Sequence, residues 1–147
     1  MRSSFTFVAI VACAISGGFL TLGAGGERNA ANTDFPTFWK KFKSAVIAGD
    51  KAEVTEMTKF PVSMPYGVKA VKNKRDFQRR YNEIFKGEAN AFQCFTSGNP
   101  QKESTQRYEV YCPFKDTPDD WENAPIRFIF EVTKTGWKFV GLDNINE

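Results

Sequence analysis

The chain has 147 residues, a net charge of +3, 41% hydrophobic residues and no histidine. So small a charge does not mark a nucleic-acid binder, and the missing imidazole excludes His-dependent catalytic triads and His-rich zinc sites. Twelve of the fifteen phenylalanines lie beyond residue 30, enough to furnish the core of one domain of roughly 120 residues.

The chain starts MRSSFTFVAIVACAISGGFLTLGAGG: one arginine, an apolar run from Phe5 to Leu22, then small residues. That is the layout of a secretory signal peptide over residues 1–24, cut near Leu22-Gly23-Ala24. Two alternatives stay open. The run is just long enough to remain in the bilayer as an anchor, and IVAC (Ile10 to Cys13) resembles the lipobox of bacterial lipoproteins, although the tether behind it would be apolar. Each reading places the rest of the chain outside the cytoplasm, either secreted, periplasmic or tethered to a membrane facing outward. Without the leader, Cys94 and Cys112 are the remaining cysteine pair. An even count in an oxidising compartment reads as a disulfide, with two buried thiols as the alternative. Two cysteines cannot build a four-cysteine zinc site.

Residues 25–33, GGERNAANT, read as a linker, so the domain spans 34–147. Thr33 or Asp34 can cap a first helix, with Pro36 in its first turn. Phe35, Phe38, Trp39, Phe42, Ala45 and Val46 form its apolar stripe, and Gly49 suits the left-handed position past its end. Asp50 and Glu53 resemble a capping box opening a short second helix whose apolar positions are Ala52, Val54 and Met57. FPVSMPYGVKAV reads as two extended pieces around a turn, at a sheet edge because of its prolines. Asn73 caps a third helix with Phe77, Tyr81, Ile84 and Phe85 inward, and Gly87 ends it. From residue 90 the apolar period shortens to 2, and four strands are expected at about 90–97, 106–115, 125–134 and 137–145. A turn at Thr135-Gly136 sets Val132 against Phe139, Phe130 against Gly141 and Phe128 against Asp143. The opposite face then carries Arg127, Ile129, Glu131, Val140 and Leu142. A Cys94–Cys112 pairing likewise sets Phe92 against Phe114. Helices followed by long antiparallel strands make an α+β domain.

Over residues 35–147 the chain resembles the NTF2-like superfamily, also called cystatin-like or SnoaL-like. The resemblance rests on FWKKFKSAVIAGDKAEVTEMTKFP, on NKRDFQRRYNEIF and on FIFEVTKTGWKFVGLDNI. It implies a cone, with the N-terminal helices packed on a strongly curved antiparallel sheet that encloses either a pocket or a filled core. Steroid-isomerase-like members use a Tyr from the first helix and a carboxylate after the second. Here the first helix offers Phe38, Trp39 and Phe42, and KFPVSMPYG contains no Asp or Glu.

The expected function is therefore that of an exported, non-enzymatic domain binding a small apolar ligand or a protein partner in or near the cone. Trp39, Tyr66, Tyr81, Phe128, Phe130 and Asp143 are its candidate ligand-binding residues. The alternative is an isomerase, dehydratase or hydrolase using Asp143, the one weak catalytic candidate, with Tyr66 or Tyr81. A carboxylate inside the cone would have a raised pKa unless paired. Trp121 and Trp137 are further aromatics open to a pocket or to plain core. The loop DTPDDWENAP carries Asp116, Asp119, Asp120 and Glu122 but lacks EF-hand spacing and reads as solvated. KAVKNKRDFQRR, with Lys69, Lys72, Lys74, Arg75, Arg79 and Arg80, reads as a solvated helix face or a contact for anionic surfaces. There is no Gly-rich phosphate loop, and no cofactor and no metal are expected. The mixed outer sheet face is a candidate homodimer surface.

Overall fold

The computed structural model describes residues 33–146. The leader, the cleavage region and the IVAC motif lie outside them. Among the described residues no helix is long and apolar enough to cross a membrane.

Helix α1 (Phe35–Ala48) begins where its sequence signals place it: the Asp34 carboxylate accepts the Thr37 N–H at 2.8 Å, and Pro36 occupies the first turn. It ends at Gly49, whose φ of 71° is the left-handed conformation that closes the helix through bonds to Ala45 and Val46. Asp50 at once caps α2 (Lys51–Glu56) by accepting the Glu53 N–H at 3.0 Å. Of the three apolar positions read in α2, Val54 and Met57 are buried and Ala52 is exposed. Asn73 caps α3 (Lys74–Arg79), and the third helix breaks at Arg80 before resuming as α4 (Tyr81–Lys86). The apolar stripe Phe77, Tyr81, Ile84 and Phe85 runs buried through the break.

Six strands form one sheet: β1 (Thr58–Ser63), β2 (Ala70–Val71), β3 (Gln101–Lys102), β4 (Arg107–Cys112), β5 (Ile126–Thr133) and β6 (Gly136–Asn144), in the order β2-β1-β6-β5-β4-β3. Its pairings are antiparallel except one. β1 runs parallel to β6, so the sheet is mixed rather than wholly antiparallel. Their register is interrupted between Thr58 and Ser63, where Pro61 has no N–H to donate. β1 crosses β6 so tightly that a Cβ on Gly141 would lie 2.8 Å from the Cβ of Ser63.

Two further sequence expectations fail. Residues 91–97 are a helix, α5 (Ala91–Ser97), not a strand. Ala91, Cys94 and Phe95, at i, i+3 and i+4, face inward, while Phe92 is half-buried and does not pair with Phe114 across a ladder. The sulfur pairing itself holds: Cys94 and Cys112 form a disulfide, which ties α5 to β4 with Cα atoms 5.7 Å apart.

The second failure is the register of the β5–β6 hairpin. Thr133 pairs with Gly136, so Lys134 and Thr135 make the turn, one residue earlier than expected. That alone shifts the register by two and preserves the faces. A bulge between the Phe130–Phe139 and Ile129–Gly141 pairs then adds one residue, Val140, and exchanges the faces beyond it. Leu142 turns inward opposite Phe128, and Asp143 turns outward opposite Arg127.

The helices α1 and α3–α5 cover the Phe-rich side of the sheet. Phe130 lies 5.1 Å from Phe42 and 5.6 Å from Trp39, ring centre to ring centre, and Phe139 lies 5.6 Å from Phe42. The chain is an α+β domain, with helices packed on one side of a six-stranded mixed sheet.

Candidate functional site

The inside of the cone is filled. Phe42, Phe85, Phe95, Phe128, Phe130 and Phe139 are fully buried. Their rings meet across the interior, Phe95–Phe128 at 5.0 Å and Phe85–Phe139 at 5.6 Å. Contacts at these separations are those of a packed aromatic core. Trp39, Phe128 and Phe130, read as ligand-binding residues, are members of that core. Trp137 packs edge-on against Phe35 at 5.0 Å and Tyr108 at 5.4 Å, a further piece of packing.

Asp143 is outside the cone. Its carboxylate is hydrogen-bonded to the Arg127 guanidinium on the outer sheet face, so its reading as an inward-facing, poorly solvated acid does not hold. The bulge at Val140 is the cause. The Tyr66 hydroxyl accepts from the Asn144 side-chain amide. Tyr81, the first residue of α4, is buried, and among the described residues its hydroxyl has no hydrogen-bond partner. Burial, with a smaller push from the charge of Asp50, raises its pKa to about 12. Asp143 on the outer face and Tyr81 in the core are therefore not brought together.

The isolated hydroxyl leads to a test. Tyr81→Phe is expected to raise stability by about 1 kcal/mol, because it removes a desolvated, unpaired donor and keeps the ring. The check is a higher urea midpoint at unchanged slope. The unfolded chain releases the tyrosine proton near its ordinary value of 10.0, and the folded chain holds it to about 12. Stability of the natural protein relative to Tyr81→Phe should therefore fall as pH rises through that window.

The outer sheet face carries a charged network. Glu109, buried, is held by Arg107 at 2.7 Å, by the Tyr111 hydroxyl at 2.9 Å and by Arg127 at 3.4 Å. Arg107 also reaches Glu131 at 3.3 Å. With Leu142 inside, the apolar part of the face read as a dimer surface is reduced to Ile129 and Val140. In the basic stretch, Lys74 pairs with Glu56, Arg79 with Asp76 and Arg80 with Glu83. In the acidic loop, Asp120 caps a 3₁₀ turn by accepting the Asn123 N–H. Among the described residues no group of three or more acidic or cysteine side chains gathers to hold a cation.

A different site, which the sequence reading missed, lies at the turn end of the sheet. An open trough of about 870 Å³ is lined by Thr55, Glu56, Thr58, Lys59 and Lys74 together with Gln106, residues 132–135 and Lys138. A neighbouring hollow of about 460 Å³ shares Glu56, Thr135 and Lys138 and adds Lys41 and Glu53. Five lysines thus meet two carboxylates. Lys74 Nζ is 2.5 Å from Glu56 Oε1, Lys41 pairs with Glu53, and Lys138 Nζ donates to the Glu56 backbone carbonyl at 2.8 Å. Lys59 and Lys134 have no ion-pair partner among the described residues. Burial pushes the Lys138 ammonium below the usual lysine range; Glu56 opposes this, and the like charges of Lys74 and Lys41 add to it. The hydrogen bond and charge of Lys74 hold the Glu56 carboxyl below its usual value.

No protein-family model matches the chain, and no curated protein does. A solved structure matches its outline. This is a crystal structure from Shewanella frigidimarina of a protein provisionally described as a ketosteroid isomerase. It has 11% identity and a TM-score of 0.40, and the match covers 80% of this chain and 95% of the other.

Proposed function

We propose that the domain is an exported binding protein, not a catalyst, and that its ligand is a small anion carrying phosphate or carboxylate groups. The observation that carries this reading is the gathering of Lys59, Lys74, Lys134 and Lys138 on one trough that contains a single carboxylate, Glu56. Ammonium groups held close together repel one another, and an anion seated among them relieves that repulsion. The Thr135 hydroxyl and the Gln106 amide line the same trough and can donate to oxyanions, whereas the Thr58 and Thr133 hydroxyls already donate to the Val54 and Gly136 carbonyls. Export is supported by the signal-peptide layout of the first residues and by the Cys94–Cys112 disulfide. The apolar ligand expected within the cone has lost its place to the aromatic core, so binding moves to the surface. The enzymatic alternative has lost its inward carboxylate with Asp143.

Pyrophosphate and citrate, titrated calorimetrically at low ionic strength, test the proposal. Saturable binding that weakens with added salt is expected. Lys138→Ala should weaken it by about tenfold, roughly 1.4 kcal/mol. Glu56→Gln should strengthen binding, because it deletes the carboxylate that already competes for the lysines. Affinity should also fall as pH rises through the lowered Lys138 pKa, at a pH below its ordinary value of 10.5. Silence with both anions, or unchanged affinity in Lys138→Ala combined with Lys59→Ala, would overturn it.

A further inference from the structure

A further hollow of about 320 Å³, which shares no lining residue with the lysine trough, is lined by Ser97, Gly98, Asn99, Gln101, Tyr111, Trp121 and Ala124. The size is at the lower end of ligand pockets, which run from roughly 300 to 1,000 Å³. Trp121 stands out in it. The residue is 44% exposed and stacks on no other ring among the described residues, whereas Trp39 and Trp137 are packed against neighbouring aromatics. A tryptophan left open on a surface costs hydrophobic free energy that its burial would recover.

The hollow is a built one. The disulfide joins two of its walls: Cys94 lies three residues before Ser97, and Cys112 directly follows Tyr111. Gly98 hydrogen-bonds back to the Cys94 carbonyl, and a Cβ there would meet that oxygen at 2.8 Å, so the chain turns tightly against the bridge. The third wall is set by the loop. Asp120 caps the 3₁₀ turn that starts at Trp121, and the Asp120 and Trp121 N–H groups donate to Thr117 and Asp119. Tyr111 is aimed by its hydrogen bond to Glu109.

The lining identifies a ligand class by what each group can take. None of the seven residues is charged, so an ionic ligand would find no counter-charge. The Asn99 and Gln101 amides and the Ser97 hydroxyl would lose hydrogen bonds to water beneath a purely apolar ligand. A ligand with neutral hydroxyls along its edges and an apolar C–H face matches both the amides and the indole plane. We infer that the hollow formed by Trp121, Tyr111, Asn99 and Gln101 is a binding site for a neutral saccharide, which would lie on the Trp121 ring. This site is separate from the trough proposed for anions and does not depend on it.

Cellotetraose, mannotetraose and chitotetraose would be titrated into ¹⁵N-labelled protein, following the indole N–H signals of the three tryptophans. With at least one of these sugars the Trp121 signal should move saturably, with a Kd of about 0.1–1 mM. Trp121→Ala and Asn99→Ala change exposed positions, and each should lower affinity about tenfold or more while the melting curve stays in place. Pyrophosphate should leave the Trp121 signal unmoved. No shift with any of the three sugars overturns the inference, as does an affinity unchanged in Trp121→Ala. Trp121-dependent capture of a protein partner while all three sugars are silent would overturn it as well.

Discussion

Phe130→Ala is expected to destabilise the domain by about 3–5 kcal/mol, the range for truncating a large aromatic in a packed core. Phe130 is fully buried and touches five rings: Phe35, Phe38, Trp39, Phe42 and Phe139, with centroids between 5.1 and 6.0 Å. Four of these belong to α1 and one to β6, so the side chain is the point at which the first helix is fastened to the sheet. Surrounding rings are too rigid to collapse into the space, and the cavity adds to the lost transfer energy. Against a total stability of about 5–15 kcal/mol, the loss lowers Tm by on the order of 10 °C or more. Phe130→Leu keeps much of the volume and should cost about half as much. Thermal and urea unfolding of the three proteins measure both steps. A loss below about 1 kcal/mol for Phe130→Ala would mean that α1 is not seated on this residue.

Glu109→Ala is the second large effect, expected at about 3 kcal/mol. The carboxylate is buried on the outer sheet face and accepts from Arg107, Tyr111 and Arg127. Its removal leaves two guanidinium groups facing each other, with Asp143 and Glu131 at the edge of the network. The cost is that of stranding charge in a poorly solvated place, and it exceeds what the ion pairs contribute when intact. Replacing the whole group (Glu109, Arg107 and Arg127) by apolar residues of similar size should cost far less than the single change. That contrast, read from urea midpoints, separates stranded charge from lost packing. The network also holds the Tyr111 hydroxyl: burial raises the pKa of Tyr111, and the hydrogen bond and charge of Glu109 raise it further. Glu109→Ala should therefore bring the Tyr111 ionisation to lower pH in an ultraviolet titration.

Both effects depend on side chains whose depth the chain order alone does not disclose, and the division runs through the whole molecule. The start and end of α1, the capping of α2 and α3 and the inward stripe Phe35, Phe38, Trp39 and Phe42 were legible. Each depends on residues within a turn of one another. The α+β class and the Cys94–Cys112 pair were legible for the same kind of reason, a change of period and a count. Residues 91–97 were not. Phe92, Cys94 and Thr96 alternate as a strand would, Ala91, Cys94 and Phe95 recur as a helix would, and Asn90 supplies no side-chain cap to decide between them. Packing of Cys94 and Phe95 into the core decided it.

The ends of α1, the capped starts of α2 and α3, the inward aromatic stripe of α1 and the class of the fold could be read along the chain, because these follow from contacts between near neighbours. Only the tertiary structure decided the rest. The bulge at Val140 turned Asp143 outward, an inserted residue that changes every face beyond it without a mark in the local pattern. The lysine trough gathers Lys59, Lys74 and the hairpin pair Lys134 and Lys138 from three separate places in the chain, and the Trp121 hollow joins two elements through a disulfide and a capped loop. A surface site is made by groups far apart in sequence, and their meeting is settled by how the sheet and helices pack.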